Sequence, residues 1–343
     1  MKTRLIALAA CALVMATPPL YAQSDVVTIY AADGLHDGSP SWLGNQFEAF
    51  TKATGIKVQY IEAGSSGVVD RLSKEKSNTQ ADVLVTLPPF MQKAAADGLL
   101  QSYSPAGADK IDTHDKDPKG LYYAMVGNYP SFIYNSAVLK SPPKTYADLL
   151  APQFKQKIQY STPGQAGDGT ALMLGTFHAF GGKPAGFEYL RKLQTNNLGP
   201  SASTGKLTAL VNKGELFVAN GDMQMNLAQM RDNPNVAMFF PAGPDGRRTT
   251  FALPYYVGLV ASAPHADNGK KLIDFLLSAP AQQEVSKVAY GFPVRTDVHP
   301  TDSNFQALNT LLKGVDIWQP DWNQVLQELR PDVAAYNQAI SID

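Results

Sequence analysis

The ordered pattern of the chain begins with five short segments: VVTIY (26–30), WLGNQFEAFTKA (42–53), IKVQYI (56–61), GVVDRLSKEK (67–76) and ADVLVT (81–86). The first, third and fifth are apolar and short, as strands are, and the second and fourth carry apolar residues at helical spacing. Gly55 is predicted to end the first helix. Strands that alternate with helices form a parallel sheet covered on both faces, so the sequence predicts an α/β fold. Ligands of such sheets bind beyond the carboxyl ends of the strands.

The middle third repeats this order, which predicts a second α/β lobe. Its predicted elements are a strand at 158–161, helices at 169–180, 185–194 and 206–213, a strand at 216–219 and a turn at 220–222 that opens another helix. Two extended apolar segments are predicted to cross between the lobes, 129–134 and 254–260, and helices at 271–277 and 281–288 complete the body.

The length of the chain also favours two lobes, because 343 residues exceed the usual size of one hydrophobic core. We predict a first lobe of residues 23–127 plus 257–300. The second lobe is predicted to contain residues 128–256 plus 301–343.

Residues 1–22 have the pattern of a signal peptide. Lys2 and Arg4 precede an apolar run at 5–15, and 20–22 resemble a cleavage site. The chain has one cysteine, Cys11, which lies in this leader. Residues 8–11 resemble a lipobox, so lipidation at Cys11 stays open. Without Cys11 the mature chain has no disulfide, no thiolate chemistry and no cysteine-based zinc site.

The charge of the chain argues against nucleic acid as a partner. The net charge is −1, and loss of Lys2 and Arg4 with the leader makes it more negative by two. No block of basic residues remains to neutralise phosphates along a nucleic acid.

Three stretches rich in Gly, Ser and Thr run directly into predicted helices, at 64–67, 161–170 and 201–205. A helix N-terminus has unpaired N–H groups and a partial positive charge, so these stretches can hold a small anion without a cationic side chain. Each stretch taken alone is also consistent with ordinary N-capping. Three of them in one exported chain favour a phosphate-like ligand.

The chain resembles the extracellular solute-binding proteins of ABC importers, in the branch that includes ferric-ion and thiamine binders. The resemblance is carried by FTKATGIKV (50–58), NKGE (212–215) and GKKLIDFLLS (269–278). It implies a two-lobed fold of the type II periplasmic binding proteins, with a sheet flanked by helices in each lobe and the ligand cleft between them. It also implies a periplasmic monomer that closes about a hinge and delivers its ligand to an inner-membrane ABC permease.

A narrower resemblance is to the periplasmic 2-aminoethylphosphonate-binding proteins. It is carried by DGLHDG (33–38), QYSTPGQAGDGT (159–170), GPSASTGKL (199–207) and ANGDMQMNLAQM (219–230). One departure is AGSSG at 63–67, where some relatives carry a nearly pure glycine run. The resemblance implies a ligand with a phosphonate at one end and an ammonium group two carbons away.

This ligand gives the following predicted site. The phosphonate is expected to bind Ser65, Ser66, Gly67, Thr162, Thr170, Ser203 and Thr204, since short fixed donors form strong charge-assisted bonds. The ammonium is expected to bind Asp37, Asp222 or Asp168, with Tyr255 as a cation–π wall. His36 is a further candidate for the cleft. Asp37 and Asp168 are equally consistent with turn residues, and Asp222 with a helix N-cap.

The same residues leave other functions open. The alternatives are a different phosphonate, a phosphate ester or ferric ion. Iron binders present adjacent tyrosines where this chain has Asp222-Met223, which argues against ferric ion. A hydrolase is disfavoured because no G-x-S-x-G motif and no metal-ligand spacing is present. We therefore expect no catalysis, no metal and no cofactor.

Overall fold

The structure is a computed structural model that describes residues 25–36, 40–139 and 141–341. The predicted signal peptide, Cys11 and Asp37 lie outside these residues. Within them no helix is long and apolar enough to cross a membrane.

The strands and helices of the described residues follow one another in a mixed order. The first half contains β1 (Val26–Ala32), α1 (Trp42–Thr54), β2 (Lys57–Ala63), α2 (Ser65–Lys74), β3 (Val83–Thr86), α3 (Phe90–Ala96), β4 (Leu100–Gln101), β5 (Tyr123–Val126), β6 (Pro130–Asn135), β7 (Ile158–Gln159) and α4 (Gly167–Ala179). The second half contains α5 (Lys183–Gln194), α6 (Thr204–Asn212), β8 (Val218–Asp222), α7 (Met223–Asp232), β9 (Val236–Phe239), β10 (Arg248–Phe251), β11 (Tyr255–Val260), α8 (Ala266–Leu276), α9 (Ala279–Gln283), α10 (Ser303–Leu311), β12 (Val315–Trp318) and α11 (Trp322–Ile340).

The first sheet has the strand order β2-β1-β3-β11-β4, and β5 also pairs with β11. β1 is parallel to β2 and to β3, as the sequence predicts. β11 is antiparallel to β3, β4 and β5, so the sheet is mixed rather than purely parallel. Both faces are covered, because Val27 and Ile29 of β1 lie in one hydrophobic cluster and Tyr30 lies in another.

The second sheet has the strand order β7-β8-β6-β9. β7 is parallel to β8, while β6 is antiparallel to β8 and β9. A separate pair of parallel strands, β10 and β12, packs beside α4. The predicted strands at 129–134 and 254–260 are present as β6 and β11, but each lies within one sheet. The chain passes between the sheets in the short segments just before them.

Local signals in the sequence explain the helix ends. Ser41 caps α1 by accepting from the Gly44 amide at 3.2 Å, and Gly55 ends it in the left-handed region with φ 76°. α2 begins at Ser65 rather than at the predicted residue 67. The predicted turn at 220–222 is the end of β8, because Asn220 to Asp222 pair with β6. Asp222 then caps α7.

The predicted lobe ranges stay a prediction. β11 pairs from Tyr255 onward with strands of the first sheet, two residues before the predicted return to the first lobe. The C-terminal helix α11, which the sequence analysis did not predict, packs against both lobes, on α5 and on α3. Lys183 of α5 joins it through Glu328 and Asp332, each at 2.7 Å.

Candidate ligand-binding site

The N-termini of α2 and α4 face each other between the two sheets. The Gly167 amide donates to Ser65 Oγ at 3.2 Å, and the Ser66 amide donates to the Gln165 carbonyl at 3.0 Å. Ser65 is 1% exposed. We define the cleft as the space where loops of the two sheets come together. Two of the three predicted anion-binding stretches therefore meet across the cleft.

The third stretch meets a carboxylate of the first lobe. Asp33 Oδ2 accepts from Ser203 Oγ at 2.8 Å and from the Gly205 amide at 3.0 Å. Ser203 also caps α6 by accepting from the Lys206 amide at 3.3 Å. Asp33 thus lies at the N-terminus of α6, where the helix dipole favours a negative charge. The sequence analysis named Asp37 and His36 from residues 33–38 but assigned no role to Asp33, although Asp33 directly follows β1 at the edge of the sheet where ligands bind.

The lobes also approach each other closely at Gly64. A Cβ atom at this position would lie 2.2 Å from the Ala202 carbonyl oxygen. The backbone of Gly64 has φ −63° and ψ 160°, which any residue can adopt. Glycine is needed here for space between the lobes rather than for its backbone freedom.

Asp222 and Tyr255 form a buried pair in the cleft. Asp222 Oδ1 accepts from the Met225 amide at 2.7 Å, which confirms the N-cap alternative. The Tyr255 hydroxyl lies 3.1 Å from Asp222 Oδ2 and 3.1 Å from the Asp33 carbonyl oxygen. Tyr255 therefore links the first sheet to the start of α7 through its hydroxyl. Its predicted role as a cation–π wall stays a prediction.

Asp168 lies in the first turn of α4 and is 2% exposed. Its carbonyl accepts from Asn220 Nδ2 at 3.0 Å, which fixes its backbone to β8. Its side-chain Oδ1 has no hydrogen-bond partner among the described residues. Because buried polar atoms are normally paired, the partner expected for this oxygen is a water molecule or a group of the ligand.

We define the acid cluster as Asp33, Asp168 and Asp222. Burial raises the pKa of Asp168 well above its usual range, and Asp222 and Asp33 raise it further, while the Thr204 hydroxyl opposes the rise. Burial raises the pKa of Asp222 to about 6 against its hydrogen bonds, and burial also raises the pKa of Asp33. The ion pairs found among the described residues include none of the three. The cluster is therefore suited to a cation.

The three predicted threonines use their hydroxyls within the loops. Thr162 Oγ1 accepts from the Ser201 amide at 3.0 Å, and Thr170 Oγ1 accepts from the Gly164 amide at 3.0 Å. Thr204 Oγ1 donates to Ser161 Oγ at 3.1 Å. These bonds hold the loops in shape, and the direct ligand roles of the threonines stay predictions.

Two further candidates lie at the margins of the site. Gly67 is in the first turn of α2. His36 is half-buried and stacks on the Tyr60 ring at 4.3 Å between centroids, on the first-lobe side. Asp37, the next residue but outside the described ones, stays a prediction.

Asp168 also lines a small cavity of the second lobe with a volume of about 20 Å³. Ser131, Thr250, Phe251 and Trp318 are among its other lining residues. Trp318 Nε1 has no partner among the described residues, and its ring stacks on His178 at 4.5 Å. A cavity of this size holds about one water molecule.

A group that could hold a metal ion lies outside the cleft. One ligand atom from each of Asp112, His114 and Asp115 lies within 4.8 Å of the others, beside the segment that leads into β6. Asp112 and His114 are exposed, as solvated charged groups commonly are.

The profile of the family described as "Bacterial extracellular solute-binding protein" matches residues 45–313. The chain belongs to this family. The "Putative 2-aminoethylphosphonate-binding periplasmic protein" of Salmonella paratyphi A is 57% identical over 323 residues, 94% of each chain. The predicted type of protein, a periplasmic solute-binding protein of an ABC importer, is confirmed.

Solved structures confirm the two-lobed type II fold. The periplasmic binding protein P5PA has a TM-score of 0.77 at 22% identity, covering 92% of this chain and 99% of its own. A periplasmic thiamin binding protein has a TM-score of 0.77 at 17% identity, covering 92% and 96%. At these identities the likeness concerns the fold alone.

Proposed function

We propose that the protein captures 2-aminoethylphosphonate and delivers it to the membrane permease of an ABC importer. The observation that carries this proposal is the acid cluster, which lies beside the N-termini of α2, α4 and α6. A ligand with a cation at one end and an oxyanion at the other matches both features. The name of the Salmonella relative, at 57% identity, supports the same ligand.

The phosphonate end is assigned to the facing N-termini of α2 and α4. Ser65 and Ser66 supply their hydroxyls and Gly67 its amide from the first lobe, and residues after Gly167 in the first turn of α4 supply donors from the second, because the Ser66 and Gly167 amides already bond between the lobes. Support comes from the 3.2 Å contact between Ser65 Oγ and the Gly167 amide, which brings both helix ends to one point. Helix N-termini bind anions through their free amides and their dipole.

Ser203 and Thr204 act on the same ligand from α6. Because Asp33 accepts from Ser203 at 2.8 Å, we propose that Ser203 contributes chiefly by holding the lobes together. Thr204 bonds to Ser161 and so shapes the loop that carries the first turn of α4.

Capture follows from hinge closure. Donors from both lobes reach the ligand only when the lobes are together, so the ligand shifts the population toward the closed arrangement. Hydrogen bonds that join the lobes directly, such as Ser66 to Gln165, add to this bias. The permease then recognises the closed protein, which we propose acts as a monomer.

We propose that the protein catalyses no reaction. Ser65 Oγ accepts from a backbone amide and Ser203 Oγ donates to a carboxylate, so neither is paired with a histidine base. A hydrolase would need such an activated nucleophile.

Titration calorimetry of the mature protein tests the ligand. The titrants are 2-aminoethylphosphonate, ethylphosphonate, inorganic phosphate, a sugar phosphate and ferric citrate. We expect tight binding of 2-aminoethylphosphonate and much weaker binding of the others. Silence toward it, with binding of ferric ion or of the sugar phosphate, would keep the solute-binding fold and refute this ligand.

A further inference from the structure

We infer that Asp168 is the residue that selects the amine, and that the acid cluster restricts the ligand to amines without a carboxylate. This inference rests on the proposed function and narrows it to a substrate class. It covers short phosphonates with a terminal ammonium group and leaves out phosphonates that are also amino acids.

The other two members of the acid cluster already have hydrogen-bonding roles. Asp222 accepts from the Met225 amide at 2.7 Å and lies 3.1 Å from the Tyr255 hydroxyl. Asp33 accepts from Ser203 and Gly205 at the start of α6. Asp222 thus begins a helix, and Asp33 joins the two lobes.

Asp168 differs from both because Oδ1 of its buried side chain has no partner among the described residues. Burying a carboxylate is costly unless a cation or several donors meet it. The ion pairs found among the described residues do not include Asp168. The missing partner is therefore assigned to the ligand.

The position of Asp168 also fits the length of the ligand. Asp168 follows Gly167, whose amide contacts Ser65 where the N-termini of α2 and α4 meet. The proposed phosphonate donors and the carboxylate therefore belong to adjacent residues in the first turn of α4, whose Cα atoms are about 3.8 Å apart. A two-carbon spacer between phosphorus and nitrogen suits this separation.

The surroundings disfavour a second negative charge at the amine end. Asp33 and Asp222 lie close together, because the Tyr255 hydroxyl is 3.1 Å from the Asp33 carbonyl oxygen and 3.1 Å from Asp222 Oδ2. Both also act electrostatically on Asp168. A ligand carboxylate next to the amine would face these aspartates, and the ion pairs found among the described residues bring no basic side chain to them. Like charges at short range in a buried site are costly, so amino-acid phosphonates should be rejected.

A structural water offers the simpler explanation for the unpaired oxygen. Asp168 and Trp318 line the same cavity of about 20 Å³, and both have an unpaired atom. A water there would give the Asp168 oxygen a partner and leave Asp168 without a role in selection. The two explanations give opposite results when the amine is removed from the ligand.

The experiment compares Asp168→Asn with wild-type protein and with Asp222→Asn as the matched variant. Each is titrated with 2-aminoethylphosphonate, ethylphosphonate and 2-amino-3-phosphonopropionate. We expect Asp168→Asn to weaken 2-aminoethylphosphonate about 100-fold and ethylphosphonate less than threefold, since a charge-assisted bond is lost only for the amine. Asp222→Asn should weaken both ligands by the same factor. Wild-type protein should bind the carboxylate-bearing compound at least about 100-fold more weakly than 2-aminoethylphosphonate.

Asp168→Glu is the control that separates a change in ligand selection from a folding defect. It keeps the charge and extends it by one methylene, so it should shift the preference toward aminomethylphosphonate. Melting temperatures of all variants are recorded beside the titrations.

Several results would overturn the inference while the proposed function stands. These are an equal loss of both ligands in Asp168→Asn, a loss of amine preference in Asp222→Asn instead, or tight binding of 2-amino-3-phosphonopropionate. If wild-type protein fails to bind 2-aminoethylphosphonate, the proposed function fails and the inference fails with it.

Discussion

Replacing Gly64 with alanine tests whether ligand capture needs the close approach of the lobes. The added Cβ would lie 2.2 Å from the Ala202 carbonyl oxygen. The backbone at Gly64 has φ −63°, which alanine adopts without strain. The substitution should therefore act on closure and leave each lobe folded.

The magnitude follows from the distances at this point. Ordinary contact begins near 3.4 Å, so the lobes must separate by about 1 Å at Ala202. The same movement lengthens the bond from Ser66 to Gln165, now 3.0 Å, and that from Gly167 to Ser65, now 3.2 Å. Both then exceed bonding distance. At roughly 1 kcal/mol net for each bond, the closed arrangement loses about 2 kcal/mol, which corresponds to about 30-fold in affinity.

Titration calorimetry with 2-aminoethylphosphonate measures the loss, and small-angle scattering with saturating ligand measures closure. Ser73→Ala, on an exposed turn of the same helix α2, is the control and should bind as wild type does. Melting temperatures without ligand should agree to within about 2 °C. If Gly64→Ala binds within twofold of wild type and closes to the same radius, the reasoning about contact between the lobes is refuted.

Three further outcomes are expected. Ser203→Ala removes the cap of α6 and the 2.8 Å bond to Asp33, so the affinity for 2-aminoethylphosphonate should fall about 10-fold. An unchanged affinity in calorimetry would argue against this bond between the lobes. The folded-state pKa of Asp222 is raised to about 6, so protonation favours folding and this stabilisation is lost as the pH rises through about 6. As the pH falls from about 7.5 to about 5, the melting temperature of ligand-free wild type should therefore rise relative to that of Asp222→Asn. A constant difference between the two melting temperatures would contradict this. Lys183→Met removes the 2.7 Å bonds to Glu328 and Asp332. Because Lys183 is partly exposed, the loss in free energy of unfolding should stay below about 1 kcal/mol, seen as a fall of about 2 °C in melting temperature with unchanged ligand affinity. A larger fall or a loss of binding would show that Lys183 has a role beyond this link.

The parts of the fold with strong periodicity could be predicted from the sequence. The first three strands and α1 were found because each has a clear apolar pattern and Gly55 marks the end of the helix. The short strands β4, β5, β9, β10 and β12 were missed. β3 is equally short, but it was found because it continues the alternation of strands and helices that begins at β1. α11 was also missed, and Pro331 within it is a residue that usually argues against a helix interior.

The sequence predicted which stretches of the chain form the site, but not which of their residues bond to each other. The three stretches were placed together because each precedes a helix on the ligand side of a sheet. Their partners could not be predicted, because Ser203 meets Asp33 from 170 residues away in the chain. The bonds that Thr162 and Thr170 accept from the Ser201 and Gly164 amides could not be predicted either, and the roles of these threonines as ligand donors stay predictions. The unpaired oxygen of Asp168 could be recognised only once every neighbour of that side chain was known.

Trp318, which stacks on His178, is a natural fluorescent reporter in this protein. The indole lines the same cavity as Asp168, and its ring lies 4.5 Å from the imidazole. Of the other two tryptophans, Trp42 is bonded to the Ala281 carbonyl in the first lobe and Trp322 packs at the start of α11. Emission from Trp318 should therefore respond to a change in charge at Asp168, and fluorescence of the unlabelled chain can follow ligand arrival in a stopped-flow instrument without an added dye.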